Sequence, residues 1–273
     1  MPKVSIIMGT YNRAYLIEKA VKSVQEQSFQ DWELMIADDG SSDDTKIVVN
    51  KLKRVEPRII YIKNSVNQGI SKNYNTAFGV VKGEYIAMID DDDFWLDNNK
   101  LGKQVQFLDT HREYVGCGGG IIVVDDYGQE LYRYLKPETD RQIRNSMLYS
   151  NPMANSTTLF RTEAGKRAHF YDETLRYSGD RDFWLKIGLQ GKLYNFPIYF
   201  SYYTMNGNNT SILKIRPHLQ ASLLVMKRYK RKYPHYFSAH FFNKIQYLYT
   251  FLPEKFRRKF HQILARLKHG VAR

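Results

Sequence analysis

The chain of 273 residues has a single cysteine, Cys117, and no long hydrophobic run. One cysteine excludes an internal disulfide framework and is typical of a reducing compartment. The apolar segment near the amino terminus is only about five residues long, which is too short for a secretory signal. No stretch reaches the roughly 18 apolar residues that a membrane span requires. We therefore expect a cytoplasmic protein that meets a membrane only at its surface, as a peripheral protein on the inner face.

Acidic residues are scarce at one end of the chain. Residues 214–273 contain 15 Lys or Arg and one acid, Glu254, whereas residues 1–213 contain 26 basic and 27 acidic residues. The net charge of +13 therefore comes entirely from the last 60 residues. A nearly neutral domain with a basic extension indicates that the extension meets an anionic surface.

The first half of the chain alternates short apolar segments with amphipathic ones. We predict strands at 4–8, 33–37, 59–62 and 85–89, and helices at 14–27, 45–54 and 71–81. This alternation predicts a parallel sheet with right-handed crossovers. The second half is less regular, with predicted strands at 114–124, 130–135, 155–161 and 194–204 and a helix that begins near Gly179 and stops by Gly191.

Polar segments follow three of the predicted strands. They are residues 9–12, residues 38–43 and the run Asp90-Asp91-Asp92-Asp93. Ligands bind outside the carboxyl ends of the strands in such sheets, so we expect the three segments to converge on one edge.

The four consecutive aspartates are costly unless a positive charge lies beside them. Carboxylates about 4–6 Å apart raise one another's pKa and resist joint ionisation. A divalent cation relieves this conflict, and ligands that are all oxygen favour Mg²⁺ or Mn²⁺ over zinc. Because Mg²⁺ usually bridges one or two carboxylates to substrate phosphates, the run predicts a diphosphate-bearing ligand. A solvated acidic loop is the alternative.

Three motifs in this order carry a resemblance to a known family. They are "VSIIMGTYNRAYLIEKAVKSVQEQSFQDWELMIADDGSSDDT", "NQGISKNYNTAFGVVKGEYIAMIDDDDFW" and "GDRDFWLKI". Over about residues 1–211 the chain resembles the bacterial family 2 glycosyltransferases. The resemblance implies an α/β GT-A fold: a Rossmann-like, mostly parallel central sheet with helices on both faces. We expect this domain at 1–213, with a donor half at about 1–112 and an acceptor half at about 113–213, and a basic, mainly helical extension at 214–273.

The resemblance also implies a donor site. The residues that match the family's donor-binding loop and acids are Thr10, Tyr11, Asp39, Asp90 and Asp91. Asp92 matches the metal ligand, which implies Mn²⁺ or Mg²⁺ as cofactor, and Asp93 has no assigned role. The ring of Tyr11 suits stacking on a base, and the Asp39 carboxylate suits an imide N–H such as that of uracil. Alternatively, Tyr11 caps the sheet and Asp39 caps the helix near Thr45.

A second carboxylate is needed for an inverting displacement, to take the proton from the acceptor hydroxyl. Asp180 of "GDRDFW" matches the family's general base, and Asp182 is its competitor, since a first-turn acid can also merely complement the helix dipole. The chain departs from the family at Gly179, where a Glu is common. It departs again near Asn206, where many members have a His.

The acceptor side is less well marked. Residues 151–161 resemble the segment that lines the family's acceptor cleft, and Asn155 and Ser156 are candidates to bond a sugar hydroxyl. Trp184, next to the candidate base, is a candidate sugar platform, with a core role as the alternative. Asp182 stays a tentative member of this set.

The basic extension contains an amphipathic segment, residues 253–268. Its apolar residues share one helical face, while Lys and Arg occupy the rest. Such a helix lies in an anionic membrane interface, where each cation contributes about 1 kcal/mol. Packing against the domain is the alternative.

The observations together predict an inverting, metal-dependent hexosyl- or N-acetylhexosaminyl-transferase. We expect it to move a sugar from a nucleotide-sugar, a UDP-sugar, to a hydroxyl of a glycan or lipid-linked saccharide in bacterial cell-surface polysaccharide synthesis. One alternative is a sugar-phosphate nucleotidyltransferase, although those enzymes begin with a "GxGTR"-like loop and this chain has "GTYNR". A nucleic-acid-binding protein that uses residues 227–237 is the non-enzymatic alternative. It leaves the acidic strand ends unexplained, so we expect no nucleic-acid partner.

Overall fold

The computed structural model describes residues 1–205 and 213–252. The strands are β1 (Val4–Thr10), β2 (Trp32–Asp38), β3 (Ile59–Lys63), β4 (Tyr85–Met88), β5 (Phe94–Trp95), β6 (Tyr114–Val124), β7 (Glu130–Tyr134), β8 (Leu159–Arg161) and β9 (Lys192–Thr204). The helices are α1 (Ala14–Gln25), α2 (Thr45–Val55), α3 (Ile70–Phe78), α4 (Lys100–Thr110), α5 (Asp140–Ser146), α6 (Thr162–Arg167), α7 (Gly179–Gly188), α8 (Ile215–Arg228) and α9 (Tyr236–Tyr249), with a short 3₁₀ helix at Asn155–Thr157.

The strands form one sheet in the order β3-β2-β1-β4-β8-β6-β9-β5, and β7 pairs with β6 outside this path. The four strands of the first half are parallel, as the alternation predicted. The short strand β8 joins them to the second half by antiparallel pairing with both β4 and β6. The sheet is therefore parallel where the polar strand ends gather and mixed elsewhere.

Helices cover both faces of the sheet, because alternate residues of its strands are apolar on opposite sides. On one face, Ile6 and Met8 pack with the helices α1, α2 and α4. On the other face, Ile7 packs with α3 and α7. All three of these side chains have no exposed surface.

The segment 155–161 differs from the strand that we predicted. It begins as the 3₁₀ helix, and only Leu159–Arg161 pair as β8. The hydroxyls of Thr157 and Thr158 donate to the backbone oxygens of Ala154 and Asn155, at 2.7 Å each. Local side-chain bonds of this kind compete with strand pairing.

The helices α8 and α9 pack against α7. The Tyr233 hydroxyl of the α8–α9 connection donates to the Leu185 backbone oxygen at 2.8 Å, and Asn243 of α9 is buried. No helix within residues 1–205 and 213–252 is long and apolar enough to cross a membrane. Asn206 and the predicted amphipathic helix at 253–268 lie outside the described residues.

Candidate active site

The three polar segments lie together at the carboxyl ends of β1, β2 and β4. Thr10 of β1 is in register with Asp38 of β2. The backbone N–H of Asn12 donates to the Ser41 hydroxyl at 2.8 Å, and the Asn12 side chain accepts from the Ser42 backbone N–H at 2.8 Å. These bonds join the loop after β1 to the loop after β2.

Asp39 organises the loop between β3 and α3. Its carboxylate accepts the backbone N–H groups of Gln68 and Gly69, each at 2.8 Å, and the Asn64 amide at 3.1 Å. Asp43, rather than Asp39, bonds the backbone N–H of Thr45, at 3.1 Å. A carboxylate has about four acceptor positions, so Asp39 keeps capacity for one further donor.

The loop after β1 presents one exposed ring and one buried hydroxyl. Tyr11 has 45% of its surface exposed, whereas Thr10 is 4% exposed. Thr10 is the last residue of β1 and Tyr11 is the first residue after it, so both lie at the edge of the sheet where the polar segments gather. An exposed ring at this edge is free to stack on a planar ligand.

The first aspartate of the run is held by neighbouring side chains. The Tyr74 hydroxyl donates to Asp90 Oδ1 at 2.7 Å, and the Asn155 amide donates to the same atom at 2.9 Å. Gly9 makes room for Tyr74, because a Cβ atom there would lie 3.1 Å from Tyr74 Cζ. Burial raises the pKa of Asp90, and the charge of Asp92 raises it further.

Arg13 provides a positive charge to the middle of the run. Its Nη1 atom lies 2.9 Å from Asp91 Oδ1 and 3.0 Å from Asp92 Oδ2. Burial raises the pKa of Asp91, and Arg13 opposes that rise. Although burial disfavours the guanidinium charge, the carboxylates raise the pKa of Arg13 on balance.

The last aspartate of the run has a structural position. Asp93 is 4% exposed and accepts a short hydrogen bond from the Ser156 hydroxyl. The same hydroxyl accepts the backbone N–H of Asp90 at 3.0 Å. Burial raises the pKa of Asp93 well above its usual value. Ser156, which is 3% exposed, therefore bonds the first and the last aspartate of the run.

The oxygen donors of the run fit a hard divalent cation. Asp91 Oδ2 is buried and has no hydrogen-bond partner within the described parts of the chain. Those parts contain no cluster of three or more His, Cys, Asp or Glu arranged around one point. An ion that takes one or two carboxylates and completes its shell with phosphate and water suits such a site. Asp92, which matches the family's metal ligand, would hold such an ion.

Asp180 approaches the run from a different element. It lies in the first turn of α7, and its Oδ2 atom accepts from the Asn151 amide at 3.0 Å. The Asn151 backbone oxygen in turn accepts from Lys136 Nζ at 3.1 Å. The charge of Asp180 contributes to the raised pKa of Asp90, after burial and the charge of Asp92. Asn151 bonds Asp180, and Asn155, four residues further along the chain, bonds Asp90, so one short segment links the two acids.

Two candidates are buried in the fold. Asp182 is 1% exposed and accepts a hydrogen bond from the Tyr229 hydroxyl at 2.9 Å. Because Tyr229 directly follows α8, this bond links α7 to the C-terminal end of α8. Trp184 has no exposed surface and packs edge-on against Phe160 and Phe183. Core and structural roles account for both residues. Neither offers a surface to a sugar.

Four residues near these acids were not singled out from the sequence: Arg13, Tyr74, Lys136 and Asn151. Arg13 had a signal, as a cation directly after the loop "GTYN", and Asn151 begins the segment 151–161 that resembles the family's acceptor cleft. Tyr74 lies on a helix whose pattern indicates only packing. Lys136 and Asn151 reach Asp180 through the tertiary fold.

Solved structures share this architecture. S. aureus TarS 1-349 in complex with UDP-GlcNAc aligns with a TM-score of 0.67 at 20% identity, over 90% of this chain and 71% of that chain. The mannosyltransferase PcManGT of Pyrobaculum calidifontis, in complex with GDP-Man and Mn²⁺, aligns with a TM-score of 0.66 at 19% identity, over 89% of this chain and 69% of that chain. At these identities the likeness shows the fold, a glycosyltransferase fold of the GT-A type.

Sequence comparison identifies the family. The family model described as "Glycosyl transferase family 2" matches residues 5–184. The Escherichia coli protein "UDP-Glc:alpha-D-GlcNAc-diphosphoundecaprenol beta-1,3-glucosyltransferase WfaP" is 30% identical over 224 residues, which is 81% of this chain and 85% of that protein. The chain therefore belongs to glycosyl transferase family 2. This membership supports glycosyl transfer over the nucleotidyltransferase alternative.

Proposed function

We propose that this enzyme transfers a sugar, with inversion, from a UDP-sugar to a hydroxyl group of a lipid-linked saccharide. Its main support is that Asp180 of α7 and Asp90 after β4 are bonded by two side chains of the same short segment, Asn151 and Asn155. Inversion needs the base and the leaving group on opposite sides of the anomeric carbon, so carboxylates on separate elements suit it. The names of WfaP and of the TarS complex support a UDP-sugar, and the name of WfaP supports a lipid-linked acceptor.

Each group of residues has a role in this proposal. Asp180 takes the proton of the acceptor hydroxyl, and Asn151 orients its carboxylate through Oδ2. The residues proposed for the donor nucleoside are Thr10, Tyr11, Asp39, Asp90 and Asp91. Asp92 would hold Mn²⁺ or Mg²⁺, and the bound ion would neutralise charge on the diphosphate leaving group. The Mn²⁺ complex of PcManGT supports a divalent ion.

We assign the glycosyltransferase domain to residues 1–213, with a donor half at about 1–112 and an acceptor half at about 113–213, and residues 214–273 to a basic extension. The extension would hold the enzyme on the cytoplasmic face of the membrane during cell-surface polysaccharide synthesis. Its charge, 15 Lys or Arg against one acid, supports contact with anionic lipid.

Liposome flotation tests the membrane assignment. The full chain should float with vesicles containing anionic phosphatidylglycerol, and the triple change Arg257→Gln, Arg258→Gln and Lys259→Gln should weaken flotation. Neutralising the exposed residues Lys22, Lys51 and Lys53 instead is the matched control. Equal flotation of both variants and the wild type would remove the assignment.

A donor screen tests the transfer reaction. Purified protein is incubated with each common UDP-, GDP- and dTDP-sugar, Mn²⁺ or Mg²⁺, and a synthetic lipid diphosphate that bears one N-acetylhexosamine. We expect release of UDP and a product whose anomeric configuration, read by NMR, is opposite to that of the donor. Pyrophosphate release, or retention of configuration, would contradict the proposal.

A further inference from the structure

A cavity of about 240 Å³ lies beside Asp180, between the start of α7 and the two C-terminal helices. Its lining includes Asn151 and Asp180 on one side and Ile215, His218 and Leu219 of α8 on the other. The sequence predicts acceptor contacts at Asn155 and Ser156. Those side chains turn instead to Asp90 and Asp93. Within the described parts of the chain, this cavity is a space next to the proposed base that an acceptor could enter.

Arg181 lines this cavity, and one of its buried donors has no partner among the described residues. Its side chain is buried, and one Nη atom donates to the Leu148 backbone oxygen at 2.6 Å. The other Nη atom lies 3.4 Å from the Asn243 side-chain oxygen. Its Nε atom is buried and has no hydrogen-bond partner within residues 1–205 and 213–252. Buried donors are nearly always satisfied, so this N–H is suited to a ligand oxygen.

His218 presents a second unused polar atom. Its Nε2 is buried and likewise lacks a partner among the described residues. The ring packs beside Tyr177, with 4.9 Å between ring centroids. Burial lowers the pKa of His218, although the charge of Asp180 opposes that change. A neutral imidazole nitrogen can donate to or accept from a hydroxyl, depending on its tautomer.

The size and chemistry of the cavity indicate its occupant. Its volume is below the roughly 300 Å³ at which pockets for drug-sized ligands begin, so it suits one sugar ring. Ile215 and Leu219 offer apolar contact to the C–H face of such a ring. The charges of Asp180 and Arg181 balance, which favours a neutral pyranose with hydroxyl or N-acetyl groups over a diphosphate.

We propose that this cavity binds the acceptor sugar and that His218 and Arg181 determine which sugar is accepted. The proposal rests on the proposed function and deepens it. The acceptor ring lies against α8 with one hydroxyl directed to Asp180, while His218 and Arg181 bond its neighbouring polar groups. The C-terminal helices thereby form one wall of the active site.

Two variants of different kinds test this assignment. His218→Ala removes a polar contact, and Leu219→Trp fills the cavity. The matched controls are Gln220→Ala and Gln220→Trp, because Gln220 is exposed on the same helix. Each protein is assayed with the donor and acceptor found by the screen above. Donor hydrolysis to water in the absence of acceptor reports an intact fold and donor site.

We expect His218→Ala to raise the acceptor KM about tenfold, the scale of one lost hydrogen bond to a buried group. Its relative rates with different acceptor sugars should also change, while the donor KM and donor hydrolysis stay as in the wild type. Leu219→Trp should abolish transfer to the acceptor and keep hydrolysis. Wild-type acceptor KM and selectivity in both variants would overturn this assignment alone. Absence of any transfer by the wild type would overturn the proposed function and this assignment with it.

Discussion

The Nη1 atom of Arg13 lies between two carboxylates of the acidic run, 2.9 Å from Asp91 Oδ1 and 3.0 Å from Asp92 Oδ2. The loop after β1 thus supplies a counter-charge to the loop after β4. Asp91 is 3% exposed, so water screens this contact weakly. The arginine and a divalent cation would act on the same two carboxylates.

Replacing this arginine should destabilise the protein in a way that a metal ion reverses. Arg13→Gln leaves Asp91 and Asp92 without their cation, and we expect a loss of roughly 1–3 kcal/mol in the free energy of unfolding. Addition of Mn²⁺ should raise the Tm of the variant more than that of the wild type. Thermal melts with and without Mn²⁺ check this, with Arg54→Gln at an exposed position as control. An equal response to Mn²⁺ in both proteins would contradict it.

Loss of the proposed base should reduce turnover without affecting donor binding. Asp180→Asn keeps the shape of the side chain and removes its basicity, so kcat should fall about 10²- to 10⁴-fold. The Kd for UDP with Mn²⁺, measured by calorimetry, should stay unchanged. Asp126→Asn, at an exposed position, should behave as the wild type in both measurements. Full turnover by Asp180→Asn would remove Asp180 from its proposed role.

The neighbouring acid, Asp182, should matter for stability. Its carboxylate bonds the Tyr229 hydroxyl at 2.9 Å and lies 3.3 Å from Lys186 Nζ. Asp182→Ala removes these contacts and a third, from Arg228 at 3.5 Å, so we expect a loss of roughly 3 kcal/mol, measured by urea unfolding. Tyr229→Phe should cost about 1 kcal/mol, and the double variant less than the sum, because both changes remove the same contact. Strict additivity would show that the two residues are not coupled.

The pH dependence of stability should reveal the buried amine of Lys100. Its side chain has no exposed surface, Nζ donates to Gln104 at 2.8 Å, and burial lowers its pKa to about 7. The unfolded chain keeps this proton up to its ordinary pKa of 10.5, so between these values the unfolded state binds more protons. The contribution of Lys100 to the free energy of unfolding therefore rises as the pH increases from about 7 to 10.5, and it is lowest below pH 7.

Comparison with Lys100→Met isolates this effect, because all other groups titrate in both proteins. The difference in free energy of unfolding, wild type minus variant, should increase by up to about 1.4 kcal/mol per pH unit as the pH rises from 7 towards 10. Urea unfolding at pH 6, 7, 8 and 9 measures it. A constant difference across this range would show that Lys100 keeps an ordinary pKa.

The sequence by itself determined the parallel half of the sheet and the chemistry of its edge. The alternation of apolar runs predicted β1 to β4 and the helices between them, because each buried strand must be covered on both faces. Aspartates directly after a buried strand predicted a positive charge beside them, because adjacent carboxylates resist joint ionisation, and Arg13 supplies one such charge. These inferences need only neighbours in the chain.

The tertiary structure alone decided which acids face the cleft and which are buried in the fold. Asp180 and Asp182 are two residues apart on α7, yet one bonds Asn151 at the cleft and the other bonds Tyr229 near the end of α8. A helix turns about 100° per residue, so the direction of each side chain depends on where its neighbours pack. Arg13 shows the same dependence, since its partners lie 78 and 79 residues away along the chain. Long-range pairings of this kind follow from the folding of the sheet, which brings the ends of β1 and β4 side by side.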